Sequence, residues 1–136
     1  MATGNDVPTG VTLHRKSAEL ELDYADGESF RLSCEYLRVF SPSAEVRGHS
    51  PDQAVLQTGK RGVSITAIKP VGNYALQLVF DDGHDTGLYA WDYLHALCIN
   101  RDAWWQDYLD QLDRAGASRD PEVQVVKLVD PGRPGE

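Results

Sequence analysis

The feature that most constrains the fold is a change of hydrophobic period near Ala90. Between Tyr74 and Phe80 large apolar residues recur at every second position (Tyr74, Leu76, Leu78 and Phe80), the period-two pattern of a β-strand with one apolar face. After Ala90 they recur at intervals of three and four, the helical period; these residues are Trp91, Leu94, Cys98, Trp105, Tyr108, Leu109 and Leu112. Strands that precede helices predict an α+β fold, in which C-terminal helices cover an antiparallel sheet.

Two groups of strands come before these helices. Residues Ala18–Ser33 predict a β-hairpin, because alternating runs flank an Asp-Gly turn at residues 26–27. Residues Val63–Tyr89 predict a meander with turns near Gly72 and Gly83. Each group has an apolar face that needs a cover. We therefore expect the meander to join the hairpin in one antiparallel sheet.

A short helical segment links the two groups of strands. Residues Cys34–Phe40 carry apolar side chains at helical spacing. Ser41 is predicted to cap a second short turn with Pro42 at its first position, and Gly48 ends that turn. Residues 49–62 predict a loop, in which Lys60-Arg61 is interpreted as solvated charge.

The chain has 136 residues, which suits one domain with a modest core. We expect residues 1–10 to form a flexible arm, residues 11–116 the folded domain and residues 117–136 a mostly disordered tail. Within that tail, Glu122–Val129 is apolar enough for an added strand or a contact with a partner.

Charge and cysteine usage exclude several classes of partner. The formal net charge of -8 argues against nucleic acid and anionic membranes, and favours a basic or metal-bearing protein partner. Cys34 and Cys98 stand alone, so neither a zinc nor an iron–sulfur site built from cysteines is expected. With no apparent signal peptide and no spanning apolar run, reduced thiols predict a cytoplasmic location.

Three segments together resemble a known family. They are Glu35–Arg38 with Ser41–Val46, then Gly83–Tyr89, then Trp91–Leu94. This set resembles the DUF971 family, which is similar to the N-terminal domain of gamma-butyrobetaine and trimethyllysine hydroxylases. The resemblance covers roughly residues 11–115. It implies the fold of that domain without the oxygenase domain that follows it in the hydroxylases, so we expect no catalytic machinery.

The resemblance also implies a position for a structural zinc site. In the hydroxylases three closely spaced cysteines and one histidine bind that zinc. The cysteine positions correspond here to Ser41, Ser43 and Val46, and the histidine to His84. Structural zinc needs about four protein ligands. We therefore expect the fold without the metal and without another cofactor.

His84 has three candidate roles. It follows an Asp-Gly turn, so its ring nitrogens could bond nearby backbone or Asp85; the other two roles are a contact with a partner and a metal ligand. His49 would complete a metal site only if its loop meets the loop of His84.

The leading functional hypothesis is a non-catalytic interaction module that serves iron–sulfur or metalloenzyme assembly. It follows from a resemblance of the domain to a C-terminal extension of some Mrp-type ATPases. No Ser-His-Asp order, nucleophile elbow or phosphate loop is present, so no catalytic residue is predicted. The loops Ser41–His49 and Asp81–Gly87 would form one partner-facing surface. Candidate contact residues are Arg38, Ser41, Ser43, Glu45, His49, Asp82, His84, Asp85, Tyr89 and Trp91.

Two other hypotheses belong to different classes. A metal-dependent oxidoreductase-related domain, or a substrate-binding subunit, would carry iron or zinc and a concave polar pocket around His84. A structural dimerisation domain would expose an apolar patch on its surface. An exposed Trp104 would be a contact hot spot under either interaction hypothesis.

Overall fold

Two three-stranded antiparallel sheets precede the last two helices in the computed structural model, which describes residues 6–48 and 53–121. The first sheet contains β1 (Gly10–His14), β2 (Glu19–Asp23) and β3 (Ser29–Ser33), in that order. Its register pairs Leu20 with Leu32 across β2 and β3. Both leucines are fully buried, and burial of each such side chain contributes about 1.5–3 kcal/mol.

The second sheet is the meander. It contains β4 (Ile65–Val71), β5 (Ala75–Phe80) and β6 (Leu88–Ala90), again in sequence order. A register shift between Ile65 and Ala67 interrupts the pairing of β4 with β5. The first and last strands of this sheet are edges, and β5 lies between them.

Four helices complete the described structure. Helix α1 (Cys34–Val39) follows β3 directly, and the Ser33 hydroxyl caps it by accepting from the Tyr36 amide at 3.0 Å. Helix α2 (Ala44–Arg47) is a single turn. Helices α3 (Trp91–Ile99) and α4 (Arg101–Ala115) follow β6, and α4 ends at Gly116 in the left-handed conformation.

The α+β class, with strands before helices, is confirmed. The hairpin and the meander form two sheets, however, rather than the one sheet expected. Helix α1 begins at the residue after β3, and none of the strands of the meander pairs with an edge of the first sheet. One buried cluster joins both sheets with α1 and α3; it includes Leu22, Leu37, Leu78, Phe80, Leu94 and Leu97.

Three local predictions also need correction. Strand β1 is not among the predicted strands, because Val11 and Leu13 are too few to establish a period. The meander predicted over Val63–Tyr89 places its third strand soon after the turn near Gly83, but β6 begins only at Leu88. Helix α2 begins after Ser43 rather than after Ser41, and the Ser41 side chain has a different role.

Tyrosine hydroxyls satisfy carbonyls at the ends of α1 and α3. Tyr89 Oη donates to the Leu37 carbonyl at 2.5 Å, and Tyr93 Oη donates to the Phe40 carbonyl at 2.5 Å. Tyr36 Oη donates to the Leu97 carbonyl at 2.8 Å. The last four carbonyls of a helix have no partner within the helix. These bonds therefore attach the buried helix α1 to β6 and α3.

The described part of the C-terminal segment lies against the domain. The Ser118 and Arg119 carbonyls accept from the Gly59 and Arg61 amides at 3.0 and 2.9 Å. Arg119 also donates two hydrogen bonds, each 2.7 Å long, to Glu35, which is 5% exposed. A buried carboxylate needs such a partner. The strand proposed at Glu122–Val129 lies outside the described residues.

Helix α4 is the longest helix of the described residues and has fifteen residues. Within these residues no helix is both long and apolar enough to cross a membrane.

Candidate functional site

His84 is where the α1–α2 segment meets the β5–β6 loop. Its Nε2 lies 2.8 Å from Ser41 Oγ and 3.4 Å from Ser43 Oγ. Its Nδ1 lies 3.3 Å from a carboxylate oxygen of Glu45. Ser41, Ser43 and His84 are 1%, 5% and 7% exposed, respectively. We refer to these three residues as the Ser–His cluster.

The β5–β6 turn directs the His84 ring inward. The Phe80 amide donates to the His84 carbonyl at 2.9 Å, and the Gly83 amide donates to the Phe80 carbonyl at 3.2 Å. Gly83 adopts a φ of 90°, which a side chain would strain. The Asp82 carboxylate accepts from the His84 amide at 3.2 Å. The Asp-Gly turn predicted from the sequence therefore positions the histidine.

Close packing fixes the Ser41 side chain from the opposite side. Ser41 Oγ accepts from the Ser43 amide at 3.3 Å, in addition to its bond with His84. A β-carbon at Gly87 would lie only 2.5 Å from Ser41 Oγ and 3.2 Å from Tyr89 Cε1. Gly87 is thus required by the close approach of the two segments.

A second polar connection lies beside the Ser–His cluster. Arg38 Nε donates to Asp82 Oδ2 at 2.9 Å, and Lys60 Nζ donates to the same oxygen at 2.7 Å. Arg38 Nη1 also donates to Gln57 at 2.9 Å. Burial alone would raise the pKa of Asp82, but the bonds from Lys60 and the His84 amide and the charge of Arg38 lower it to about 2. Lys60 is therefore a partner of Asp82 and not a solvated loop charge.

The His84 ring favours its neutral form. Burial, and secondly the nearby Arg38 guanidinium, lower the pKa of His84, while Glu45 and Asp82 act in the opposite direction. A neutral ring with its proton on Nδ1 faces the Glu45 carboxylate at 3.3 Å and can accept the Ser41 hydroxyl proton at Nε2. A protonated ring would donate at Nε2 instead, with the Ser41 hydroxyl oxygen as acceptor. Burial favours the neutral ring, so the stability of the folded domain depends on the protonation state of His84.

This dependence gives a prediction for stability against pH. A histidine whose pKa is lowered on folding contributes full stability above its unfolded pKa, near 6.5, and that contribution is lost as the pH falls. We expect the free energy of unfolding of the wild type to decrease from pH 7.5 to pH 5 relative to that of His84→Gln. Urea unfolding at several pH values measures this difference. A wild-type profile parallel to that of His84→Gln would contradict the prediction.

The structure brings most of the candidate contact residues together. Arg38, Ser41, Ser43, Glu45, Asp82 and His84 form one connected set of hydrogen bonds and close ion pairs. Tyr89 is fully buried behind this set. The His84 ring hydrogen-bonds Ser41 and lies 3.3 Å from a Glu45 oxygen, whereas Asp85 was the predicted side-chain partner. Thr86 donates to Glu45 at 3.0 Å and was missed, since a threonine in a polar loop carries no sequence signal.

Besides Asp85 and Tyr89, two further candidate residues are not placed in this set. Trp91 Nε1 donates to the Asn73 carbonyl at 2.8 Å, near the start of β5, whereas His84 lies at the other end of that strand. His49 lies outside the described residues, so its approach to His84 stays a prediction. Trp104 is half-buried beside Phe40.

The donors at the position implied for zinc do not fit a structural zinc ion. Zinc takes thiolate, imidazole or carboxylate ligands. Ser41 and Ser43 offer neutral hydroxyls, Val46 offers no donor atom, and His84 Nε2 is already engaged by Ser41. Among the described residues no group of three or more His, Cys, Asp or Glu side chains is arranged to hold a metal.

The segments that build this site also match a family model. The model described as gamma-butyrobetaine hydroxylase-like, N-terminal, matches residues 11–95. The chain belongs to this family. The match begins in β1, ends in α3 and contains the whole Ser–His cluster. A search of curated proteins found no match.

Solved structures are similar to this gamma-butyrobetaine hydroxylase-like domain over most of its length. Two NMR solution structures are 51% and 52% identical, with TM-scores of 0.75 and 0.73; they cover 90% and 93% of this chain, and 97% and 96% of their own. A crystal structure of a protein with unknown function from Acidithiobacillus ferrooxidans, which belongs to the DUF971 family, is 38% identical. It covers 71% of this chain and 97% of its own, with a TM-score of 0.59. The resemblance to DUF971 is thus confirmed.

Proposed function

We propose that this domain is a non-catalytic binding module. Its partner would contact the surface over the Ser–His cluster, where Glu45 and Thr86 meet. The single observation that carries the proposal is the buried bond between Ser41 and His84, which fixes the α1–α2 segment and the β5–β6 loop relative to one another. A surface that is rigid before binding loses little conformational entropy when a partner binds.

The geometry of the Ser–His cluster favours binding over catalysis. A serine, a histidine and a glutamate stand in the order of a hydrolytic triad, with Ser41 Oγ at Nε2 and Glu45 at Nδ1. A nucleophile must reach its substrate, however, and Ser41 is 1% exposed with Gly87 packed against its hydroxyl. The Ser–His cluster would therefore have a structural role, in which it holds the two segments together beneath the contact surface.

The chemistry of the exposed residues favours a basic partner. Glu45, whose side chain is 66% exposed, lies on one segment, and the exposed residues Asp81 and Asp85 lie on the other. Asp82 is neutralised by Arg38 and Lys60 and adds little to this field. Complementary charge accelerates association and selects among partners. We propose a basic cytoplasmic protein engaged in iron–sulfur or metalloenzyme assembly, in line with the resemblance of the domain to an extension of some Mrp-type ATPases.

Affinity purification from the native host tests this proposal. We expect the wild type to retain a partner that Glu45→Lys with Asp85→Lys no longer retains, because the two changes reverse the charge of the surface. The matched control is Asp110→Lys with Asp113→Lys, which makes the same change in charge at two exposed positions of α4. Equal retention by both double variants would contradict the proposed surface. Light scattering on the same samples distinguishes a protein partner from a second copy of this chain.

A further inference from the structure

A cleft of about 320 Å³ lies between the α1–α2 segment, residues 54–57 and the last two helices. Apolar and aromatic side chains account for most of its wall; they include Val39, Phe40, Val46, Leu56, Tyr93 and Tyr108. Small-molecule sites in proteins are mostly apolar clefts of about 300–1,000 Å³ with a few polar groups that fix orientation. The size and lining of this cleft match that description.

Most polar groups of the cleft already have partners within the protein. Tyr93 Oη donates to the Phe40 carbonyl, and Tyr108 Oη donates to the Gln57 carbonyl at 2.7 Å. Ser41 Oγ bonds His84, and the Gln57 side-chain oxygen accepts from Arg38. A ligand would therefore meet little unsatisfied polarity on these walls, which favours an apolar ligand body.

Among the described residues that line the cleft, Arg47 is the one that carries a charge, and its side chain also hydrogen-bonds Tyr93. Its guanidinium lies 4.6 Å from the centre of the Tyr93 ring, and the residue is exposed. Five other arginines form ion pairs with described carboxylates, whereas Arg47 forms none with any carboxylate in the described residues. A guanidinium presents a planar set of donors that matches a carboxylate.

We propose that this cleft binds a small molecule with an apolar body and one carboxylate group. The apolar part occupies the space between Val46, Leu56 and Tyr108, and the carboxylate pairs with Arg47. This site goes beyond the proposed partner surface, since its charge has the opposite sign to that of Glu45 and Asp85 and its lining is mostly apolar. The two proposals can therefore succeed or fail separately.

Titration of the ¹⁵N-labelled protein with 4-phenylbutyrate, followed by amide chemical shifts, tests the cleft. We expect saturable shifts at residues of the cleft wall. Arg47→Gln should weaken binding about tenfold, because it removes one charge-assisted contact. Arg114→Gln, which changes an exposed arginine of α4 outside the cleft, is the matched control and should bind like the wild type. The uncharged 4-phenylbutanamide should bind the wild type as weakly as the acid binds Arg47→Gln.

The Leu56→Trp variant provides a second test of the cleft, because the larger side chain, which belongs to the cleft wall, would fill the space. The variant should keep a dispersed amide spectrum and lose the saturable shifts. Three results would each overturn the proposal: no saturable shift at the wall of the wild-type cleft, equal affinity of the wild type and Arg47→Gln, or unchanged binding by a folded Leu56→Trp variant.

Discussion

Replacing Ser41, Ser43 and Val46 by cysteine should convert this domain into a zinc protein. The two serine hydroxyls already lie 2.8 and 3.4 Å from His84 Nε2, and Val46 follows within one helical turn, where its amide donates to the Ser43 carbonyl at 3.1 Å. Three thiolates and one imidazole form a complete structural zinc site. Because only the folded chain would present them together, zinc at a thousandfold excess over its dissociation constant should add about 4 kcal/mol to the free energy of unfolding.

Mass spectrometry under native conditions and thermal unfolding with and without a chelator measure this gain. The triple variant should hold one zinc ion per chain and lose its extra stability in the chelator. The wild type should bind no zinc and should unfold at the same temperature with and without the chelator. Adding His84→Ala to the triple variant tests the fourth ligand. Equal zinc binding with and without His84 would show that this histidine is not the fourth ligand. Zinc bound at this site by the wild type would show that the serine hydroxyls and the imidazole do not take the place of a metal.

Gly87→Ala should destabilise the domain by about 1–3 kcal/mol, the usual cost of forcing an extra carbon into a packed interior. Its β-carbon would lie 2.5 Å from Ser41 Oγ. That oxygen cannot move aside freely, because rotation would break its bond to His84. The backbone of Gly87 does not lie in the left-handed region, so the cost arises from contact and not from conformational strain.

A double-mutant cycle isolates this contact. Ser41→Ala removes the oxygen that the new carbon meets, so the double variant should be less destabilised than the sum of the single variants. Gly62→Ala is the control, since nothing lies within 4 Å of its β-carbon and its backbone is ordinary. Urea unfolding supplies the free energies. If the changes in the free energy of unfolding for Ser41→Ala and Gly87→Ala were strictly additive, the new β-carbon would not be in repulsive contact with Ser41.

The sequence predicts those parts of the fold that depend on near neighbours. Alternation from Tyr74 to Phe80 locates β5, and the helical period after Ala90 locates α3 and α4. The separation of the two sheets is not local information. Hydrophobic periodicity does not state which strand edges meet.

In the candidate site, too, the sequence predicts the features that depend on near neighbours and not the contacts between distant residues. The turn that carries His84 follows from its Asp-Gly signal, and its correspondence to a zinc ligand follows from the family resemblance. Its hydrogen bond to Ser41, and the salt bridge from Arg38 to Asp82, join residues more than forty positions apart. Trp91 illustrates the limit, because it is close to His84 in sequence and yet bonds Asn73 near the other end of β5.

The tyrosine bonds to main-chain carbonyls have a consequence for chemical labelling. Tyr36, Tyr89, Tyr93 and Tyr108 have their phenol oxygens turned inward, and Tyr24 is 5% exposed. Tyr74, at 57% exposure, is the remaining one of the six tyrosines. A phenol-directed reagent under mild conditions therefore has one preferred point of attachment. A fluorophore placed there would report on the domain from outside its hydrogen-bonded interior.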